Sequence, residues 1–469
     1  MEPRAIALRA GAAAQPQDRA VWCGVFLAST FILLGPAIWN GFPLLQFDTG
    51  GYLARWFEGY LVPSRPAAYG LVLAAAARLE FWPVLLLQAA AALWVLTLVL
   101  RELRLGRRPY LLLAVIAGLS LATTLPWLTS ILLTDILAGL AVLALHLVVF
   151  GRTAGFWERR GLVVFVAFAM ATHSATLGLI AALTIALFVL ALFSATVCVA
   201  QMRRAGTTLL LGIVMTLAAN SVVSGRAEFT PGGYGIVFGR MLQDGIVSRY
   251  LRDHCPDLTL KLCPYRAELP LDADAFLWGS GVFNRLGRFS GLGEEMRTVV
   301  LGSIHDYPWL QMRSAVAGTV SQLRAVATGE GVIDKMWHTY GVIERYTPAV
   351  LTAMRAARQQ DGEFGFDAIN RIHVPVALLS SLLLPVLLFA GRRCPELASL
   401  RMLGATVAVA ILANAFVCGA LANPHNRYGA RVTWLAPLTI MLVPVSMLLR
   451  STRSAMDIAP YLPPLETTK

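Results

Sequence analysis

The chain is expected to fold as an all-α polytopic membrane protein, and three observations carry that expectation. Hydrophobic residues make up 57% of its 469 residues and charged residues only 14%, where about 25% charged is usual in soluble domains. So few charges could not cover the surface of a soluble protein of this size. The apolar residues gather into runs near 21–40, 82–100, 110–127, 131–150, 161–178, 180–200, 207–224, 372–391, 402–421 and 432–449. Each run is close to the roughly 20 residues a helix needs to cross a bilayer. The arginines fall mainly in short clusters between the runs, so the net charge of +12 reads as a signal of membrane orientation and not of nucleic-acid binding.

Taken in order, the first run follows a tail, 1–20, that carries Arg4, Arg9 and Arg19. The run Val21 to Trp39 is longer than the core of about 7–15 residues in a signal peptide, and it ends in Asn40-Gly41-Phe42-Pro43 without a small-residue cleavage site. It reads as an uncleaved first transmembrane helix. The stretch 161–200 is about twice the length one span requires, so a hairpin turning near Gly178 is expected. The count is about ten spans, or eleven if Ala67 to Arg78 also inserts.

Cytoplasmic loops collect Lys and Arg. With the N-terminus inside, the short inner segments 1–20, 101–109, 151–160, 201–204, 391–401 and 450 onward each hold at least two arginines. The densest cluster is Arg101, Arg104, Arg107 and Arg108. This gives a cytoplasmic tail 1–20, an N-terminal membrane module 21–224 with an outer loop 41–81, and an extracytoplasmic loop domain 225–370. A C-terminal membrane module 371–450 and a cytoplasmic tail 451–469 complete the division. The expected location is the bacterial inner membrane with both termini cytoplasmic. No Gly-rich phosphate loop appears, and the inner segments leave no room for a nucleotide-binding domain. The large outer segment holds Trp278, Trp309, Trp337 and several tyrosines, from which a small core could be built.

Cys255 and Cys263 lie in that outer segment, while Cys23, Cys198 and Cys418 fall in apolar runs and Cys394 in an inner loop. An oxidising outer face favours a Cys255–Cys263 disulfide. Such a bridge stabilises by roughly 2–3 kcal/mol in the chain-entropy model. A metal site with His254 is the rival, but it falls short of a four-ligand set.

Polar residues near the membrane then point to one side. Asp48 and Tyr52 follow the first span, Asp135 opens the fourth after Thr134, His173 lies toward the outer end of the fifth, and His425, Arg427, Tyr428 and Arg431 join the last two. Ionisable groups at membrane depth are costly and so mark candidate sites. Each also has a plain reading: Asp48 and Asp135 as helix-capping acids, His173 as a packing histidine, Arg427 and Arg431 as lipid-headgroup ligands. His146, toward the inner end of its span, reads as structural.

These residues resemble the GT-C superfamily of integral-membrane glycosyltransferases, the group with the protein O-mannosyltransferases and aminoarabinose transferases. The likeness rests on Asp48 with Tyr52, on Pro63-Ser64-Arg65-Pro66-Ala67-Ala68-Tyr69, on Thr134-Asp135 and on Arg427-Tyr428. Ala67 stands where a second proline is usual, and the first loop has a lone Asp48, with Glu58 further on, in place of a paired acidic motif. The resemblance covers the first 150 residues best and the last 50 loosely, and it implies a sugar transferase acting at the outer face.

A polyprenyl-phosphate sugar donor has its tail in lipid and its phosphosugar at the surface, where these residues lie. Attack on the anomeric carbon passes through an oxocarbenium-like state, and the acceptor hydroxyl needs a base, for which Asp48 is the candidate. The leaving phosphate needs fixed positive charge. Arg427 is the first candidate, followed by Arg65, His425 and Arg431. Asp135 would either orient an arginine or hold a divalent metal, and Tyr52, His173 and Tyr428 would support the site. His305, Tyr307 and Trp309 are further suggestions in the outer segment. The acceptor would be a glycan, lipid or protein. A polysaccharide polymerase or ligase, or a lipid-linked saccharide transporter, is the alternative.

Overall fold

A computed structural model describes residues 16–59, 65–193, 197–230, 233–362 and 364–458. The tails 1–15 and 459–469 lie outside it, as do Pro63 and Ser64 of the first loop. The principal helices are α1 (Pro16–Leu33), α2 (Phe47–Glu58), α3 (Ala68–Ala76), α4 (Trp82–Glu102), α5 (Pro109–Ala122), α6 (Asp135–Phe150), α7 (Phe156–Thr172), α8 (Ser174–Phe193) and α9 (Val199–Ser224). They continue as α10 (Gly233–Gln243), α11 (Ala273–Trp278), α12 (Arg288–Asp306), α13 (Pro308–Arg324), α14 (Phe366–Ala390), α15 (Ala398–Ala420), α16 (Asn426–Thr433) and α17 (Leu435–Ile458). Among the described residues there is no strand, only an isolated bridge between Leu44 and Ile131.

Among the described residues, six helical stretches are long and apolar enough to cross a membrane: Trp82–Glu102, Ser174–Phe193, Val199–Ser224, Phe366–Arg393, Pro395–Ala420 and Asn426–Leu448. Ala68–Leu79, Pro109–Ala122 and Asp135–Phe150 are apolar but shorter. The chain is therefore an all-α membrane protein. The expected run 110–127 stops at Ala122 and gives way to a short helix, Leu125–Ser130. The expected turn near Gly178 is not there. Backbone helix breaks at His173, in extended conformation, and α8 runs unbroken through Gly178. The reason is local: the His173 ring nitrogen Nδ1 accepts the Ala175 N–H at 3.0 Å, in the manner of an N-cap.

The main core is formed by the apolar helices around α6, which is buried on every side from Asp135 to Val149. A helix apolar all round belongs inside a bundle. A second core gathers Phe238, Phe276, Phe283, Leu292, Met296 and Val299 from α10–α12. Contrary to expectation, the tryptophans do not build it: Trp278, Trp309 and Trp337 are exposed. The later part of the 225–370 segment does not join it either. Val332, Met336, Ile343, Val350 and Met354 pack into the main core, and the Gln359 side chain holds both the N–H and the carbonyl of Leu45. Cys255 and Cys263 form a disulfide beside the second core. His254 turns away from them, its Nε2 lying 3.4 Å from Asp306.

Candidate functional site

Asp48 owes its position to a helix start. The Gln46 side chain accepts the Asp48 N–H at 2.8 Å, while Thr49 Oγ1 accepts the Gln46 N–H at 3.1 Å, a reciprocal cap that sets Asp48 in the first turn of α2. There the helix dipole favours a carboxylate. The same segment is sewn to the start of α6. Leu44 N–H donates to Ser130, Leu132 N–H donates to Leu44, and Thr49 Oγ1 donates to the Leu132 carbonyl at 3.1 Å. Two acids 87 positions apart in sequence, Asp48 and Asp135, are thereby brought to one end of the bundle.

Arg427 lies between them. Its Nη1 is 2.8 Å from Asp48 Oδ2 and its Nε is 3.5 Å from Asp135 Oδ2, and its guanidinium sits over the Tyr428 ring at 4.9 Å. Arg65 pairs with the other Asp48 oxygen and faces the Trp278 ring at 5.6 Å. All four charged side chains are mostly buried; Asp48 is 14% exposed and Asp135 5%. Burial alone would raise the Asp48 carboxyl, but Arg65 and Arg427 outweigh it and hold the group well below the usual carboxylate range.

His425 forms a second node. Its Nδ1 is 3.1 Å from Glu330 and its Nε2 is 3.3 Å from Asp274. Hydrogen bonds to these two carboxylates push its pKa up to about 9, so it is charged at neutral pH. Glu330 also accepts the Arg427 N–H at 2.7 Å, capping α16. Its flanking residues, Gly329 and Gly331, have φ of 95° and 79°, a region that favours glycine. A Cβ on Gly331 would collide with Gln46, the α2 cap.

The other expected residues fall into three groups. Tyr52 is enclosed, its hydroxyl 3.4 Å from Thr134 Oγ1 and its ring edge-on to Tyr69; it positions α2 against α3 and α6. His173 and Tyr428 line a recess beside Arg65. Arg431 is fully buried, and its Nε and Nη2 donate to Asn414 Oδ1 at 3.0 and 2.7 Å, apart from the Asp48 pairings. His305 pairs with Asp306, Tyr307 donates to Asp253 and Trp309 faces outward, all apart from the cluster. Glu58 accepts from Tyr346. His146 bonds Thr406 at 2.9 Å between α6 and α15.

Sequence reasoning missed Glu330, Asp274, Trp278 and Asn414. Of these only Glu330 left a trace, as an acid between two glycines. Two recesses border the cluster. One is lined by Trp127, Leu128, Asp135, Glu330 and Arg427. The other is lined by Arg65, His173, Asp274, Trp278, His425 and Tyr428. Among the described residues no three His, Cys, Asp or Glu side chains converge as a metal-ligand set. A cation at Asp48 or Asp135 would have to displace an arginine. No protein-family model matches the chain, and no curated protein or solved structure is significantly similar to it.

Proposed function

We propose that this protein is a membrane glycosyltransferase that moves a sugar from a polyprenyl-phosphate donor to a glycan, lipid or protein acceptor. On this reading the chain has about ten spans, both termini are cytoplasmic, and the cluster opens on the extracytoplasmic face of a bacterial inner membrane. The observation that carries the reading is the convergence of Asp48, Arg65, Asp135 and Arg427, from four separate parts of the chain, between two recesses. The resemblance to GT-C enzymes points the same way.

The chemistry follows from the pairings. At rest both Asp48 oxygens are held by guanidinium groups, which makes the carboxylate a poor base. A donor phosphate competes for the same guanidiniums, which bind phosphate oxygens bidentately. As Arg65 and Arg427 turn to the phosphate, Asp48 loses its positive neighbours and its proton affinity rises. The acceptor oxygen then attacks the anomeric carbon. The carbon–oxygen bond to phosphate breaks with its electron pair leaving on the phosphate, and the acceptor proton passes to Asp48. Asp135 keeps Arg427 oriented through the exchange. Trp278 offers an aromatic face for the sugar ring, beside His425.

Arg427→Ala tests the reading. In proteoliposomes carrying a radiolabelled polyprenyl-phosphate sugar, the variant should raise KM for donor far more than KM for acceptor. Loss confined to the acceptor side would remove Arg427 from the phosphate and with it the proposal.

A further inference from the structure

The helix α13 belongs to the segment 225–370, which sequence analysis assigns wholly to the aqueous side. Its packing is with a candidate membrane-spanning helix. Its C-terminal half lies against α15, within one of the spanning stretches, and a Cβ on Gly318 would collide with the Gly419 carbonyl, as would one on Gly419 with that of Gly318. Two glycines facing each other let the two backbones touch. Gln322 then bonds both the N–H and the carbonyl of His425, and Gly429 meets the Ala325 carbonyl. The helix is thus fixed to the rim of the bundle at the level of the site.

The opposite face of α13 is bare. Trp309, Met312, Val316 and Val320 are 72, 52, 60 and 40% exposed. At 3.6 residues per turn they fall within an arc of roughly 80°. The exposed Arg313 and Arg324 lie along one edge of that arc. Leu301 and Ile304 are also exposed on the preceding helix, α12. On α15 itself, within a candidate spanning stretch, Leu412 and Phe416 are exposed. The bare stripe therefore lies on a helix whose other side packs directly against a candidate membrane-spanning helix.

We propose that α13 is an interfacial helix whose Trp309, Met312, Val316 and Val320 stripe is immersed at the acyl–headgroup boundary, with Arg313 and Arg324 on lipid phosphates. An apolar arc edged with arginine and ending in tryptophan is what that boundary selects. The site is then walled on one side by a helix that rests on the bilayer, and membrane contact reaches His425 through Gln322. The inference does not depend on the glycosyltransferase reading.

The test uses the intact protein in phosphatidylcholine–phosphatidylglycerol vesicles that contain a phosphatidylcholine with an acyl-chain diazirine. After photolysis, peptide mass spectrometry locates the adducts. Adduct yield on the α13 stripe should fall within about threefold of that on Leu412 and Phe416, as befits an immersed helix. Labelling of α15 with none on α13 overturns the proposal. So does the pattern expected if a second copy of the chain covers the stripe, namely no α13 adduct together with chain-to-chain cross-links at Val316.

Discussion

Replacing Asp48 by Asn keeps the shape and one acceptor oxygen while removing the charge that both Arg65 and Arg427 hold. Two consequences can be sized separately. A lost general base costs 10²–10⁴-fold in turnover, about 3–5 kcal/mol of barrier. Breaking a fully buried ion pair costs about 3–5 kcal/mol of stability, but Asp48 is 14% exposed and Arg427 keeps Asp135, so about 1–3 kcal/mol is expected here. The variant should therefore fold. Its kinetic signature has a definite sign: with no carboxylate competing for the arginines, donor KM should stay level or fall while kcat collapses. Turnover of labelled donor in proteoliposomes, with a thermal melt in detergent as control, measures both. Transfer within twofold of wild type would refute the assignment of the base. A raised donor KM with kcat preserved would show Asp48 to be a scaffold for the arginines.

Four other outcomes follow from the geometry. His425 is raised from about 6.5 to about 9 by Asp274 and Glu330, so its contribution, about 3 kcal/mol at most, is complete below pH 6.5 and is lost as pH climbs through 9. The melting temperature should drop over that window, and His425→Gln should flatten the drop; a parallel drop in the variant assigns the effect elsewhere. The same ion pairs hold Asp274 and Glu330 below the usual carboxylate range, so on the acid side stability declines as pH falls through their folded values. Asn414→Leu strands the enclosed Arg431 guanidinium and should cost about 3–5 kcal/mol, read as a thermal shift; an unchanged melt would mean that another group holds the charge. Reducing Cys255–Cys263, which closes a short loop, should cost roughly 2–3 kcal/mol and loosen the second core, measurable by protease sensitivity of 238–300.

How far the sequence could be read differs by residue, for physical reasons. Hydropathy marks helix content and membrane character because both depend on composition over about 20 residues. It carries no boundary inside a continuous apolar run, so the break at His173 was invisible until its ring was seen to cap α8. Asp48, Asp135 and Arg427 were legible because charge is costly next to apolar spans. Arg431, four residues after Arg427, has the same local signature, yet its partner Asn414 sits on another helix and turns it inward. Exposure of Trp278, Trp309 and Trp337 likewise depends on tertiary neighbours: Trp278 ends against Arg65 and Trp309 on a bare helix face. Size and apolarity alone place such rings in a core as readily as on a boundary.

The shortness of α6 has a last consequence. Its 16 residues span about 24 Å, against a hydrocarbon thickness of about 30 Å. The stretch before it, Ile131 to Thr134, is irregular but buried within the protein, the one setting in which such backbone is tolerated at depth. On the glycosyltransferase reading, the bundle is dented at Asp135, where the carboxylate–guanidinium cluster sits. On that reading, a donor tethered by an isoprenoid would meet the cluster without being lifted fully into water.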